Sequence, residues 1–247
     1  MAIMNLTFEN IKKTKSNLNY PSQLFINGKY QKSISEKSFE NISPIDGKVV
    51  NQVFFAEQED IDLAVSKAKE TFNKGYWSNL SPGERKKILL KFAILLERDR
   101  LELSLLDTID MGKTINDTYN ADLPTSIDNI EWYAEIIDKL FDDISPSSKE
   151  YLGLITKEPI GVVAAIVPWN YPLWMAIWKI APALITGNSV ILKPAEQSPM
   201  SAIKIGALLS EAGIPDGVFS VLPGDGPITG KSLCLHNDID CVAFTGS

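Results

Sequence analysis

A chain of 247 residues is long enough for one large α/β domain, or two small ones, around a sizeable core. With 45% hydrophobic residues, 22% charged residues and a formal charge of −7, the composition is globular. It carries no basic block of the kind that binds nucleic acid. Cys234 and Cys241 are too few for a disulfide framework or a cysteine metal cluster.

The opening segment has no apolar run flanked by basic residues, so no signal peptide is expected. The most apolar stretch, Leu173 to Ile185, is interrupted by Lys179 and Pro182. It falls short of the roughly 20 residues that span a bilayer. A cytoplasmic protein of a reducing compartment is expected, with no membrane association and no metal.

Residues 1–22 show little periodicity and read as a loose arm. LFINGKY then reads as two short strands around an Asn27-Gly28 turn, and Pro44 with Asp46-Gly47 marks a second turn. Ile61, Ala64, Val65, Ala68 and Phe72 recur at helical spacing. Ser81-Pro82-Gly83-Glu84 is a helix start with the makings of a capping box. Further helices are predicted at Leu101 to Met111 and Leu123 to Phe141. These elements, in residues 23–143, read as scaffold around a core. Residues 144–160 alternate apolar positions after a turn-rich start and predict a protruding hairpin, suited to pairing with another subunit.

From residue 161 to 247 the rhythm becomes strand-helix-strand. GVVAAIV, SVILK, VFSVL and DCVAF are strands, separated by the helices of PLWMAIWKIAPALIT, the segment after Ser198-Pro199, and Pro227 to Leu235. The near-continuous apolar strands predict a doubly wound parallel sheet with both faces covered. Ligands of such sheets bind at the carboxyl ends of the strands.

Four strand ends therefore carry the candidates. Pro168-Trp169-Asn170-Tyr171-Pro172 is a stiff turn that either aims a side chain or is rigid punctuation. Lys193 and Glu196 suit ribose hydroxyls or a phosphate, or form a solvated pair on a loop. Glu196 lies 26 positions after Asn170, close to the interval of about 20 residues for the ribose-binding acid of a βαβ unit. Gly224-Asp225-Gly226-Pro227 resembles a glycine-rich nucleotide turn, although Pro227 removes a donor and favours packing on a flat ring equally well. Phe244-Thr245-Gly246-Ser247 is a small-residue turn able to present amides to an anion.

Taken in order, LFINGKY, IVPWNYP, GNSVILKPAEQSP, EAGIPDGVFSVLPGDG and VAFTGS resemble the aldehyde dehydrogenase superfamily over nearly the whole chain. The ordered set is far more specific than any one motif. The resemblance implies a Rossmann-like cofactor domain preceded by a helical region and interrupted by a hairpin arm. It implies that Asn170 stabilises the oxyanion of a cysteine-bound thiohemiacetal. Ile166, Pro168 and Trp169 would line the cofactor cleft. Lys193 and Glu196 would contact the adenosine ribose, and Gly226 and Pro227 the adenine side. Phe244, Gly246 and Ser247 would form the turn beside the pyrophosphate and nicotinamide ribose.

The implied cofactor is NAD rather than NADP, because the Glu196 carboxylate repels a 2′-phosphate. The implied substrate is a small aldehyde, and the implied assembly a homo-oligomer. IEWYAEIIDKL, SPGERKKIL and HNDIDCVAFTGS look most like the γ-glutamyl-γ-aminobutyraldehyde and amino-aldehyde branch.

The family's nucleophilic cysteine and general-base glutamate fall downstream of the FTGS turn. Cys234 and Cys241 match neither and are expected to be buried, inert thiols; His236 is expected to be a surface or capping residue. The chain therefore reads as a fragment of an NAD-dependent enzyme and inactive by itself. The competing readings are a non-catalytic nucleotide-binding module or degenerate remnant, and a protein that only assembles through residues 144–160.

Overall fold

The computed structural model describes residues 6–246. Its first element is a helix, α1 (Phe8–Ser16), capped by the Thr7 hydroxyl accepting from Asn10 N. Over residues 8–16 this corrects the loose arm expected for residues 1–22; residues 1–5 of that arm lie outside the described residues. Ile11, with Leu6 and Leu18, packs against Leu101, Leu105 and Tyr119. Docking of those three side chains holds a segment with no buried residue of its own.

Two strands, β1 (Leu24–Ile26) and β2 (Lys29–Gln31), form the expected hairpin. Asn27 and Gly28 both take positive φ, 51° and 76°, the mirror-image turn whose twist matches that of the strands. A second pair, β3 (Ser38–Ile42) and β4 (Val49–Phe54), is closed by the Pro44 to Gly47 turn. Helix α2 (Gln58–Asn73) follows. Then come α3 (Pro82–Arg98), with the Ser81–Glu84 capping box formed as expected, and α4 (Arg100–Met111).

The next stretch is more irregular than its periodicity suggested. A short α5 (Ile115–Asp117) and a π-helical turn (Thr118–Asp122) precede α6 (Leu123–Ile136), and a 3₁₀ turn (Ile137–Lys139) closes it before Phe141. The arm is present as β5 (Asp143–Ser145) and β6 (Gly153–Ile155), paired antiparallel.

The remaining elements alternate as the sequence predicts. They are β7 (Val162–Ile166), α7 (Pro172–Ile185), β8 (Ser189–Lys193), α8 (Met200–Ala212), β9 (Phe219–Val221), a π-helical turn (Gly226–Gly230), α9 (Lys231–Leu235) and β10 (Cys241–Phe244). The sheet order is β10-β7-β8-β9-β1-β2. Strands β10, β7, β8 and β9 are mutually parallel, and β1 joins β9 antiparallel. The N-terminal hairpin thus extends a sheet that the sequence reading built from residues 161–247 alone.

Helices cover both faces. One core is built by Leu89, Phe92 and Leu96 of α3, Ile127 and Ile130 of α6, and buried residues of α7 and α8. The other is built by Ile61, Ala64, Val65 and Ala68 of α2 with Leu233 of α9. Both kinds of side chain alternate along β7, whose residues are all buried, which accounts for its continuous apolar sequence.

Gly206 of α8 allows β1 to close on the sheet. A Cβ there would lie 2.6 Å from Phe25 Cγ, and Phe25 is itself buried. Gly206→Ala is expected to destabilise the chain by about 1–3 kcal/mol through overpacking, read as a lowered urea midpoint. An unchanged midpoint would show that β1 docks loosely.

Candidate nucleotide site at the strand ends

The four parallel strands end level with one another. Phe244 of β10 pairs with Ile166 of β7, and Ile166 pairs with Lys193 of β8. Backbone bonds extend this alignment past the strands. Thr245 N donates to Ile166 O at 3.0 Å, Val167 N to Lys193 O at 3.1 Å, and Leu222 N to Leu192 O at 2.9 Å. At about 4.8 Å per strand spacing, the row from β10 to β9 is roughly 14 Å long, the scale of an extended ligand rather than a point site.

The candidates sit along this row. Ile166 is buried and Pro168 half-buried beneath an exposed Trp169 and Asn170. The Trp169 carbonyl accepts from Ser198 Oγ at 3.3 Å, tying the turn after β7 to the turn after β8. Among the described residues, the Asn170 amide engages no hydrogen bond, so it is free to donate. Phe244 and Gly246 lie exposed at the β10 end of the row. Ser247 lies outside the described residues.

Lys193 and Glu196 do not form a solvated loop pair. The Lys193 side chain is 3% exposed, with Nζ 3.6 Å from Glu196 Oε2 and donating to Pro194 O at 3.0 Å. Burial lowers its pKa, an effect the nearby Glu196 charge partly opposes. The ammonium therefore acts with little water to screen it, while Glu196 remains partly exposed. The lysine stem packs along Gly230, where a Cβ would meet Lys193 Cδ and Cε at 3.8 Å, an ordinary van der Waals contact. Gly226 faces open space and Pro227 is exposed beside it, while the Asp225 carboxylate is already taken by Ile228 N at 2.7 Å. This turn therefore offers an open surface more than a cradle of amides.

Several residues around the site were passed over in the sequence. Lys179 of α7 donates to Thr245 Oγ1 at 2.6 Å, and burial lowers its pKa. Its signal was present as the one charge in an apolar helix. Lys113 lies over the Tyr171 ring, 3.8 Å from its centroid. Asp110 accepts from Met200 N at 2.9 Å and from Asn41 Nδ2 at 2.7 Å, anchoring the first turn of α8 just beyond Glu196.

Cys234 and Cys241 are both exposed, which corrects the expectation of buried thiols. Cys234 lies on the outer side of a five-residue helix. Among the described residues β10 is the edge strand of its sheet, so a strand position there does not guarantee cover. Cys241 pairs with Val163, at the opposite end of β10 from Phe244, about 10 Å from the row of candidates at strand rise. His236 ends α9, with Nδ1 accepting from Asp238 N at 3.1 Å and Nε2 3.4 Å from Asp62. Among the described residues no group of three or more His, Cys, Asp or Glu could hold a metal, and no helix is long and apolar enough to cross a membrane.

A doubly wound sheet with its candidates level at the strand ends defines a nucleotide-binding class of protein. The sequence model of the aldehyde dehydrogenase family matches residues 30–247, and the chain belongs to that family. It is 46% identical over 226 residues to the NADP/NAD-dependent aldehyde dehydrogenase PuuC of Escherichia coli (strain K12), covering 92% of this chain and 46% of that protein. Among solved structures, a mutant of the P. syringae AldA indole-3-acetaldehyde dehydrogenase in complex with NAD+ and IAA superposes with a TM-score of 0.96. It is 48% identical and covers 98% of this chain and 49% of that one. A γ-glutamyl-γ-aminobutyraldehyde dehydrogenase from Burkholderia cenocepacia J2315 gives 0.95 at 46% identity, covering 98% of this chain and 49% of that one. The chain spans about half the length of the relatives it matches.

Burial pushes the Asp110 carboxyl up to about 8 and the neighbouring Asp107 up to about 7. Both hold their protons more tightly folded than unfolded, so their contribution is present in acid and lost as pH rises from the ordinary carboxyl range through about 8. The urea midpoint is expected to fall between about pH 5 and pH 8, and Asp107→Asn to flatten that fall. A midpoint that rises over this window would contradict it.

Proposed function

We propose that this chain supplies the cofactor-binding part of an aldehyde-oxidising enzyme that uses NAD in preference to NADP. The observation that carries the reading is the level row of strand ends, with buried Lys193 and partly exposed Glu196 at one position and the unengaged Asn170 amide at another.

The residues suit a dinucleotide. Glu196 offers a carboxylate to ribose hydroxyls, and Lys193 beneath it offers a desolvated cation. Gly226 and Pro227 offer a flat, open surface for a ring. Ile166, Pro168 and Trp169 wall the middle of the row, and Phe244 and Gly246, with Ser247 next in sequence, close its far end. NAD, when bound, accepts a hydride. The Asn170 amide donates to the aldehyde oxygen as it gains negative charge, and its rigid proline-flanked turn keeps that donor preorganised. Cys241 stands about 10 Å from the row at the far end of β10, which speaks against it as the nucleophile, and Cys234 is an exposed residue of the short α9.

The substrate is a small aldehyde. Two of the similar solved structures are named a γ-glutamyl-γ-aminobutyraldehyde dehydrogenase and an indole-3-acetaldehyde dehydrogenase, and the IEWYAEIIDKL and HNDIDCVAFTGS segments favour the amino-aldehyde side. The β5–β6 arm exposes Ile144, Leu152, Leu154 and Ile155, an apolar strand pair that suits pairing with another subunit in a cytoplasmic homo-oligomer.

Calorimetric titration is expected to show NAD bound more tightly than NADP, and Glu196→Gln to weaken NAD while narrowing that gap. Equal affinity of the unaltered protein for both would overturn the role of Glu196. In protein competent for aldehyde oxidation, Asn170→Ala is expected to lower kcat by roughly 10² or more with little change in NAD affinity. Residues 1–247 alone are expected to oxidise propanal negligibly. Steady NADH production by the purified chain would refute that.

A further inference from the structure

Asn170 poses a geometric question. Its side chain makes no hydrogen bond among the described residues, so its aim is set entirely by the backbone on either side. On one side the Trp169 carbonyl is held by Ser198 Oγ. On the other side stands Tyr171, the residue that precedes α7, with no side-chain cap bond of its own.

What holds Tyr171 is its ring. Lys113 Nζ lies 3.8 Å from the ring centroid, within cation–π range. Trp174 meets the same ring edge-on, with centroids 5.2 Å apart and planes at 90°. Trp178 in turn lies nearly parallel to Trp174, 12° between planes and 6.2 Å between centroids. The lysine is itself pinned. It donates to both oxygens of Asp122, at 2.6 and 2.8 Å, and the Asp122 side chain is 3% exposed. A buried carboxylate with a two-oxygen grip leaves the ammonium little freedom to move off the ring. Asp122 belongs to the π-helical turn before α6, so the irregularity there serves to aim this carboxylate at Lys113.

We propose that Lys113 is a positioning residue. Clamped by Asp122, it fixes the Tyr171 ring, and through it the direction of the Asn170 amide and the aromatic ladder of Trp174 and Trp178. Lys113 touches no reacting atom. The consequence for turnover rests on the oxyanion role proposed above for Asn170, whereas the clamp itself does not.

The test uses K113R, the paired variant K113M/D122N, which avoids leaving Asp122 charged and alone, and Y171L, which keeps the ion pair and removes the ring. Near-UV circular dichroism reads the ladder directly. K113M/D122N and Y171L are expected to lose the band from the coupled tryptophans while keeping the far-UV spectrum, and K113R to retain it, since guanidinium also stacks on aromatic faces. In protein competent for aldehyde oxidation, K113M/D122N is expected to lower kcat by roughly 10- to 100-fold at unchanged KM for NAD, with K113R restoring most of it. An unchanged near-UV spectrum in folded K113M/D122N, or in folded Y171L should the first fail to fold, would overturn the clamp. A lost band with kcat unchanged would overturn its link to Asn170. Residues 1–247 alone are expected to turn over negligibly whatever Lys113 does, so on that chain the near-UV spectrum by itself decides on the clamp, independently of the dehydrogenase reading.

Discussion

The structure depends on the backbone pairing of β7. All five of its residues are buried, and it is hydrogen-bonded on one side to β10 and on the other to β8. A strand so enclosed has no freedom to slip, because a shift of one residue would turn every side chain to the opposite core. The level ends of β10, β7 and β8 follow from that register, and with them the placement of Phe244, the Pro168 to Pro172 turn and Lys193 along one edge. The site is thus a consequence of the core: Val163 and Ala165 point into one hydrophobic cluster while Val162 and Ala164 point into the other.

Much of this was legible in the sequence because it rests on short-range rules. The Asn27-Gly28 turn, the Ser81–Glu84 box and the apolar run of β7 each announce themselves within a few residues. What was not legible depends on contacts distant in sequence. The first helix has no buried residue in its own span and stands by Ile11 docking on α4, which local periodicity cannot reveal. The joining of β1 to β9 depends on Gly206 making room for Phe25, a relation across about 180 positions. The exposure of Cys241 follows from the place of β10 in the sheet order, and strand-like sequence says nothing about order.

The candidate site divides along the same line. Its positions could be listed from motifs and from the resemblance they carry, since the residues at strand ends are contiguous in sequence. Its electrostatics could not. Lys193 reads in sequence as a contact for ribose or phosphate, or as half of a solvated pair on a loop. In the fold it is buried against Gly230 and Pro194, and its ammonium is poorly hydrated. Asp110 reads as one residue of the helix predicted from Leu101 to Met111. In the fold it receives the Met200 amide and is held largely in its protonated form by burial, so it anchors α8 without adding a full negative charge beneath Glu196.

That distribution resolves an apparent conflict between net charge and ligand. A chain with a formal charge of −7 should repel an anionic dinucleotide at long range, yet long-range repulsion is weak once screened beyond a Debye length of about 8 Å. Within that distance the balance is local. Lys193 lies buried in the row, and the partly buried Lys179 reaches Thr245 at its β10 end. Lys113 stands over Tyr171 behind the Asn170 turn. The same Coulombic attraction is several-fold stronger in such partly dry surroundings than at an open surface. Asp107 and Asp110, the acids nearest the first turn of α8, are by contrast pushed toward neutrality. Burial therefore disfavours the charged form of both signs around this edge, lowering the pKa of the lysines and raising that of the aspartates. The two kinds of group start on opposite sides of neutrality, lysine at about 10.4 and aspartate at about 3.9. The same penalty therefore brings Asp107 and Asp110 to about 7 and about 8, and an acidic protein can present a locally cationic face.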